Sequence, residues 1–206
     1  MGKVEAIIFD VGGVLHESNS TMDNDLFQEL GISGETITNI RANEMLSLGC
    51  GEISESEFWD RVSVNYGIRP VSADENLLGR AFGEAITPHT PILELAKSLG
   101  ESGIKLAILS NTIEPHARAL QEKGIYNGFD YVLLSHEVGM RKPDPAIYKQ
   151  TLETLKTTPE ATIFVDDDPA NVEVAESLGI NGVVYTDADS VIERIRSIIS
   201  SGQQVS

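Results

Sequence analysis

Five stretches of the chain are apolar in short, nearly unbroken runs: "VEAIIFD" (4–10), "KLAILSN" (105–111), "YVLLS" (131–135), "ATIFVDD" (161–167) and "NGVVYT" (181–186). Runs of this kind predict strands covered on both faces, as in a parallel sheet. Between and after them, apolar residues recur every three or four positions, the spacing of amphipathic helices. Segments 91–99, 115–123, 145–155, 170–178 and 190–199 fit it, and Gly100, Gly124 and Gly179 follow three of them as expected C-caps. Strand–helix alternation predicts an α/β fold. The expected form is a three-layer sandwich around a parallel, Rossmann-like sheet of five strands.

One segment breaks the alternation. Residues 16–86 carry no convincing strand but four helical patterns, 23–30, 35–48, 54–66 and 74–82. The pattern therefore predicts a small helical cap, 16–86, inserted into a core domain made of 1–15 and 87–206. Trp59, with Phe58, Val62 and Tyr66 at helical spacing, reads as the apolar centre of the cap. Cys50, in "LGCGE", reads as part of a turn between cap helices. The polar tail "SSGQQVS" (200–206) is expected to fray.

Composition narrows the partners. The 206 residues are 41% hydrophobic, enough for an ordinary core, and carry a net charge of −17. Nucleic acid and anionic membranes are poor partners for such a chain, because both need clustered Lys and Arg. A small anionic substrate stays compatible, since a metal, a lysine or a helix N-terminus makes a pocket locally positive. No apolar stretch approaches the ~20 residues of a membrane span. The opening "MGKVEAIIFD" runs straight into strand-like sequence, so no leader peptide is expected. A single cysteine excludes an internal disulfide and fits a reducing cytoplasm. A monomer is the default expectation.

Three strands end in polar residues: Asp10, then Ser110-Asn111, then Asp166-Asp167-Asp168. In an open parallel sheet such ends face one crevice, where ligands bind. Converging carboxylates repel unless a cation lies between them, and hard oxygen donors favour Mg²⁺. Ser110-Asn111-Thr112 is expected to open a helix whose free N–H groups hold phosphate. Lys142, in "GMRKPDP", adds a positive charge. Together these residues make a phosphoryl-transfer site. A receiver-type signalling domain is excluded, because there the acidic pair belongs to the first strand.

The chain resembles the haloacid dehalogenase-like hydrolase superfamily over essentially its whole length. Four motifs carry the resemblance, in family order and spacing: "IIFDVGGVL" (7–15), "LSNT" (109–112), "RKPDP" (141–145) and "FVDDDPAN" (164–171). The stretch "GEISESEFW" (51–59) is similar to the helical cap of the family's phosphatase branch. The "FD-x-G" opening, "SNT…H" and "GMRKP" are similar to glucose-1-phosphatase-like members. The resemblance implies Asp10 as nucleophile and Mg²⁺ ligand, forming an aspartyl-phosphate. It implies that Ser110 and the Asn111 amide hold the phosphoryl oxygens and that Lys142 neutralises Asp10 and the phosphate. It implies that Asp167 ligates Mg²⁺, that Asp166 supports it or binds through water, and that Asn171 stands where many members have a second acid. The implied activity is Mg²⁺-dependent hydrolysis of a small phosphorylated metabolite, with sugar phosphates among the candidates.

Gly12 departs from the pattern. The family's phosphatases usually carry an aspartate there, whose carbonyl binds Mg²⁺ and whose side chain protonates the leaving oxygen. Here the carbonyl survives and the acid is gone, a loss typically worth ~10²–10⁴-fold. Four readings follow: a phosphatase whose leaving group needs little help, a 2-haloacid dehalogenase, a phosphomutase, and a metal- or phosphate-binding protein without turnover. The paired acids Asp166-Asp167 weigh against the dehalogenase, which needs no metal. A phosphomutase normally retains the acid. The Gly12-Gly13 pair also has a structural reading, as a turn passing close to phosphate. His116, a helical turn after "SNT", either contacts substrate and replaces part of the acid, or lies on the helix surface. Arg141 faces solvent or substrate. His16, at the hinge into the cap, reads as loop.

Overall fold

The computed structural model describes residues 3–17 and 22–203. The start of the inserted segment, 18–21, and the last three tail residues lie outside the described residues. Five strands form one sheet: β1 (Ala6–Phe9), β2 (Lys105–Ser110), β3 (Tyr131–Leu134), β4 (Thr162–Asp166) and β5 (Asn181–Val184). Their order is β3-β2-β1-β4-β5, and every pairing is parallel. Ile8, on the central strand, stands opposite Ala107 on one side and Phe164 on the other.

After β1 come α1 (Met22–Glu29), α2 (Gly34–Ile40), a π-helical stretch (Arg41–Met45), α3 (Leu46–Gly49), α4 (Glu55–Tyr66), a 3₁₀ turn (Ala73–Glu75) and α5 (Leu77–Ala85). The remaining helices alternate with strands: α6 (Thr90–Glu101), α7 (Glu114–Glu122), a one-turn α8 (Ser135–Val138), α9 (Pro145–Leu155), α10 (Pro169–Ser177) and α11 (Ala188–Gln203). Strand pleating sends Ile7 and Phe9 into one apolar layer with Leu95, Leu120 and Ile195. It sends Ala6 and Ile8 into the opposite layer with Tyr148, Leu152 and Ala175. Helices on both faces therefore cover the strands, which is why the strands read as unbroken apolar runs.

Two local expectations differ from the structure. Gly100 is not a cap: α6 runs through it to Glu101, and it lies against the Leu106 side chain, where a Cβ would come to 3.0 Å. Gly124 and Gly179 do take left-handed backbone just beyond α7 and α10. The tail begins as helix, since α11 continues to Gln203.

The inserted helices have an apolar cluster of their own. Phe27, Ile40, Phe58, Trp59, Val62 and Leu78 are fully buried in it. Ser54 and Glu57 form a reciprocal capping box at the start of α4, and Gly67 closes it in left-handed backbone. That pairing satisfies two of the helix's free N–H groups.

Candidate active site

The carboxyl ends of β1, β2 and β4 lie side by side because these strands are neighbours. Asp10 follows β1 and is fixed by its own N–H, which donates to Val165 O (2.8 Å). Asp166 ends β4 and is completely buried. Lys142, 2% exposed, reaches between them. Its Nζ donates to Asp10 Oδ1 at 2.7 Å and to Asp166 Oδ2 at 2.6 Å. Burial alone pushes the lysine down, but Asp10 and Asp166 outweigh it and hold it above its ordinary range. Burial pushes the Asp10 carboxyl up, the nearby Asp166 charge adds to this, and Lys142 opposes it.

Asp166 is saturated. Oδ1 accepts from Asp168 N (2.9 Å) and Asn171 Nδ2 (3.0 Å), while Oδ2 accepts from Lys142 and, at 3.2 Å, from Asn171. Asn171 is itself held by Tyr148, whose hydroxyl donates to the Asn171 carbonyl (2.9 Å). Asp168 caps α10 by accepting from Ala170 N (2.9 Å). Asp167 is exposed and lies against Gly13. Burial raises its carboxyl, and so does Asp166. Ligand oxygens of Asp10, Asp166 and Asp167 all lie within 4.8 Å of one another. A cluster of hard, anionic oxygens at that spacing fits a small divalent cation.

The two glycines after Asp10 differ in kind. Gly13 has φ +73°, and a Cβ there would overlap Asp167 Oδ2, so only glycine fits. Gly12 has no left-handed backbone, and its Cβ position opens onto space with nothing within 4 Å. The turn does not require glycine at 12.

Ser110 ends β2 and is buried. The helix expected at 110–112 starts later, at Glu114, leaving Asn111, Thr112 and Ile113 as a loop. The Asn111 side chain is committed to the backbone of residue 142: Nδ2 donates to Lys142 O and Oδ1 accepts from Lys142 N, both at 2.8 Å. It therefore fixes the lysine's position. Ile113 plugs into the inserted helices' apolar cluster.

Sequence reasoning missed Ser135. Its buried hydroxyl accepts from Thr112 N (2.9 Å) and lies 2.6 Å from Gly49 O, within donating distance. It thus ties the loop after β2 to the end of α3. Beside it, Gly51, with φ +67°, sits so close to His136 O that a Cβ would overlap it. No periodic signal marks Ser135, because its partners lie 23 and 86 residues away. A cavity of about 200 Å³ opens between the inserted helices and this loop, lined by Met45, Gly49, Asn111, Ile113, His116 and Arg141 among others.

His116 fits neither sequence alternative cleanly. It borders that cavity, yet its ring stacks on Phe82 of α5 (centroids 4.0 Å apart, planes 9° apart). Burial pushes its imidazole down to about 3. His16 packs edge-on against the same Phe82 and is 5% exposed, with Nδ1 2.6 Å from Glu17 O. Cys50 caps α3 and is partly exposed. Among the described residues no helix is long and apolar enough to cross a membrane.

A family model described as haloacid dehalogenase-like hydrolase matches residues 4–179. The sesquiterpene phosphatase astK of Aspergillus oryzae is 28% identical over 197 residues, which cover 95% of this chain and 96% of that protein. The drimenol cyclase drtB of Aspergillus calidoustus is 27% identical over 201 residues, 96% of this chain but only 37% of that protein. The phosphorylated carbohydrates phosphatase of Thermotoga maritima is 32% identical over 111 residues, 52% of this chain and 51% of that one. A haloacid dehalogenase family enzyme of Bacteroides thetaiotaomicron, solved with magnesium and inorganic phosphate, superposes with a TM-score of 0.77 at 26% identity, covering 89% of this chain and 94% of that one. With the matched model spanning most of its length, the chain belongs to the haloacid dehalogenase-like hydrolases.

Proposed function

We propose that the protein is a Mg²⁺-dependent phosphatase acting on a small phosphorylated metabolite through an aspartyl-phosphate on Asp10. The observation that carries this reading is Lys142, buried and clasped between Asp10 and Asp166 at the end of a parallel sheet. A buried ammonium so placed neutralises an attacking carboxylate and the incoming phosphoryl group together. Relatives that are phosphatases, and a related structure with magnesium and phosphate, support it.

In this reading Asp10 attacks phosphorus, the bond to the leaving oxygen breaks, and water then attacks the phosphorus of the aspartyl-phosphate. Phosphate departs and the Asp10 carboxylate is restored. Ser110 and the backbone N–H of Asn111 hold the equatorial oxygens, the Thr112 N–H being taken by Ser135. Asp10, Asp167 and the Gly12 carbonyl would hold Mg²⁺, which when bound supplies charge neutralisation of the transferring group. Asp166, already saturated, serves as the anchor of Lys142 and Asn171 rather than as a direct ligand. The helices of 16–86 act as a cap that closes over the crevice and excludes water. The 200 Å³ cavity beneath them receives the rest of the substrate, a sugar among the candidates.

The test is phosphate release from a panel of esters, run with Mg²⁺, with chelator, and with Asp10→Asn. Release that requires both Mg²⁺ and Asp10 is expected. A second reading, 2-haloacid dehalogenation, is favoured only by Gly12. Halide release that persists in chelator would select it.

A further inference from the structure

The phosphatase reading leaves the leaving group unaided. Among the described residues, beyond Gly12 and its two chain neighbours, no heavy atom lies within 4 Å of where a Cβ at 12 would stand, so none of their side chains has moved in to supply a proton. Among the described residues the acids and bases beside Asp10 are committed. Lys142 is held by two carboxylates, and Asp166 accepts from Lys142, Asp168 and Asn171. Asp167 lies against Gly13, among the carboxylates that fit the cation. His16 and His116 are packed against Phe82, and burial keeps His116 neutral at working pH, with no proton to give.

We infer that the centre acts on phosphoryl groups whose departing oxygen is already stable as an anion, as in acyl, anhydride and anomeric phosphates, and not on ordinary alkyl phosphates. This rests on the phosphatase reading and names its substrate class. The bond change is balanced without an acid. Asp10 forms a bond to phosphorus, and the P–O bond breaks with both electrons on the leaving oxygen. That anion takes its proton later, from solvent. Because the Gly12 position is open and its backbone ordinary, the acid is absent without any steric reason, and it can be put back.

The experiment measures kcat/KM for aryl phosphates whose phenols run from strongly acidic nitrophenols up to phenol itself, at about 10. Acetyl phosphate, pyrophosphate, glucose 1-phosphate and glucose 6-phosphate are compared alongside to separate the natural sources. The expected wild-type rate falls steeply as the phenol becomes less acidic, with glucose 1-phosphate ahead of glucose 6-phosphate. Gly12→Asp should flatten the series, raising the poorest leaving groups by about 10²–10⁴-fold while barely changing the best. Gly12→Asn, which fills the same space without a proton, should leave it steep. A flat wild-type series with Asp10-dependent release overturns the inference and leaves the phosphatase reading intact. A steep wild-type series that Gly12→Asp does not flatten contradicts the assignment of the missing acid to position 12. No release even from the most activated ester sinks the phosphatase reading itself.

Discussion

At the end of the sheet the buried groups are charged, and in the inserted helices they are apolar apart from Glu44, which Arg61 and Asn65 meet. Lys142 and Asp166 are shielded from solvent, Asp10 nearly so, and each has its partner within hydrogen-bond distance. Among the described residues of the insert the largest buried side chains include Trp59, Phe58, Phe27 and Leu78, while the Arg69–Glu75 and Arg61–Glu44 ion pairs stand partly in water. Burying charge costs stability unless geometry returns it, so the first region tolerates little change and holds one arrangement. The second rests on area and shape, which many sequences satisfy. That division matches the proposed roles, a site that performs chemistry and a cap that covers it.

The contrast is broken most severely at the lysine. Lys142→Met leaves Asp10 and Asp166 facing each other without a cation and should cost about 4 kcal/mol in denaturant unfolding. Added Mg²⁺ should recover part of that loss, which an apolar cavity would not do. In the insert, Leu78→Ala should cost about 3 kcal/mol by opening a void. The loss should appear as an earlier transition of the helices, read by Trp59 fluorescence, with the sheet unaffected.

The two regions meet at Phe82, which packs against His16 and His116. His116 titrates near 6.5 when unfolded and is pushed down to about 3 when folded. The unfolded chain therefore binds the extra proton between those limits. The stability this group protects is complete above 6.5 and is lost as pH falls towards 3. At pH 5 the loss is about 2 kcal/mol. The difference in stability between wild type and His116→Gln, followed from pH 7 to pH 5, should shrink by that amount. The smallest effect belongs to the second meeting point. Ser135→Ala removes the tie between Thr112 and Gly49 and should cost about 1 kcal/mol. Amide exchange should quicken at 46–51 and 111–113 and stay unchanged in β1 and β4.

Much of this was legible in the sequence wherever a local repeat carries the signal. The strands announce themselves by unbroken apolar runs, and Asp10, Ser110 and Asp166 follow as the residues that end them. Trp59 and Phe58 sit at helical spacing and are buried as expected. What escaped depends on long-range contact. The motif that implies a phosphate-holding role for Asn111 gives no sign that its side chain bonds a backbone 31 residues away. Ser135 carries no pattern at all. The paired glycines look alike in sequence, yet only the backbone angle and the Asp167 carboxylate distinguish Gly13, which must be glycine, from Gly12, which need not be. The π-helical stretch at Arg41–Met45 also leaves no trace, since one extra residue in a turn hardly disturbs a three-to-four spacing.

The central claim is that Asp10 itself accepts the phosphoryl group. Rapid acid quench during turnover of an acyl phosphate carrying a labelled phosphoryl group tests it directly. The account predicts label on the protein when Mg²⁺ is present, base-labile, mapping to the segment around Asp10 and absent from Asp10→Asn. Phosphate released at the full rate with no labelled protein, or label retained in Asp10→Asn, would contradict it.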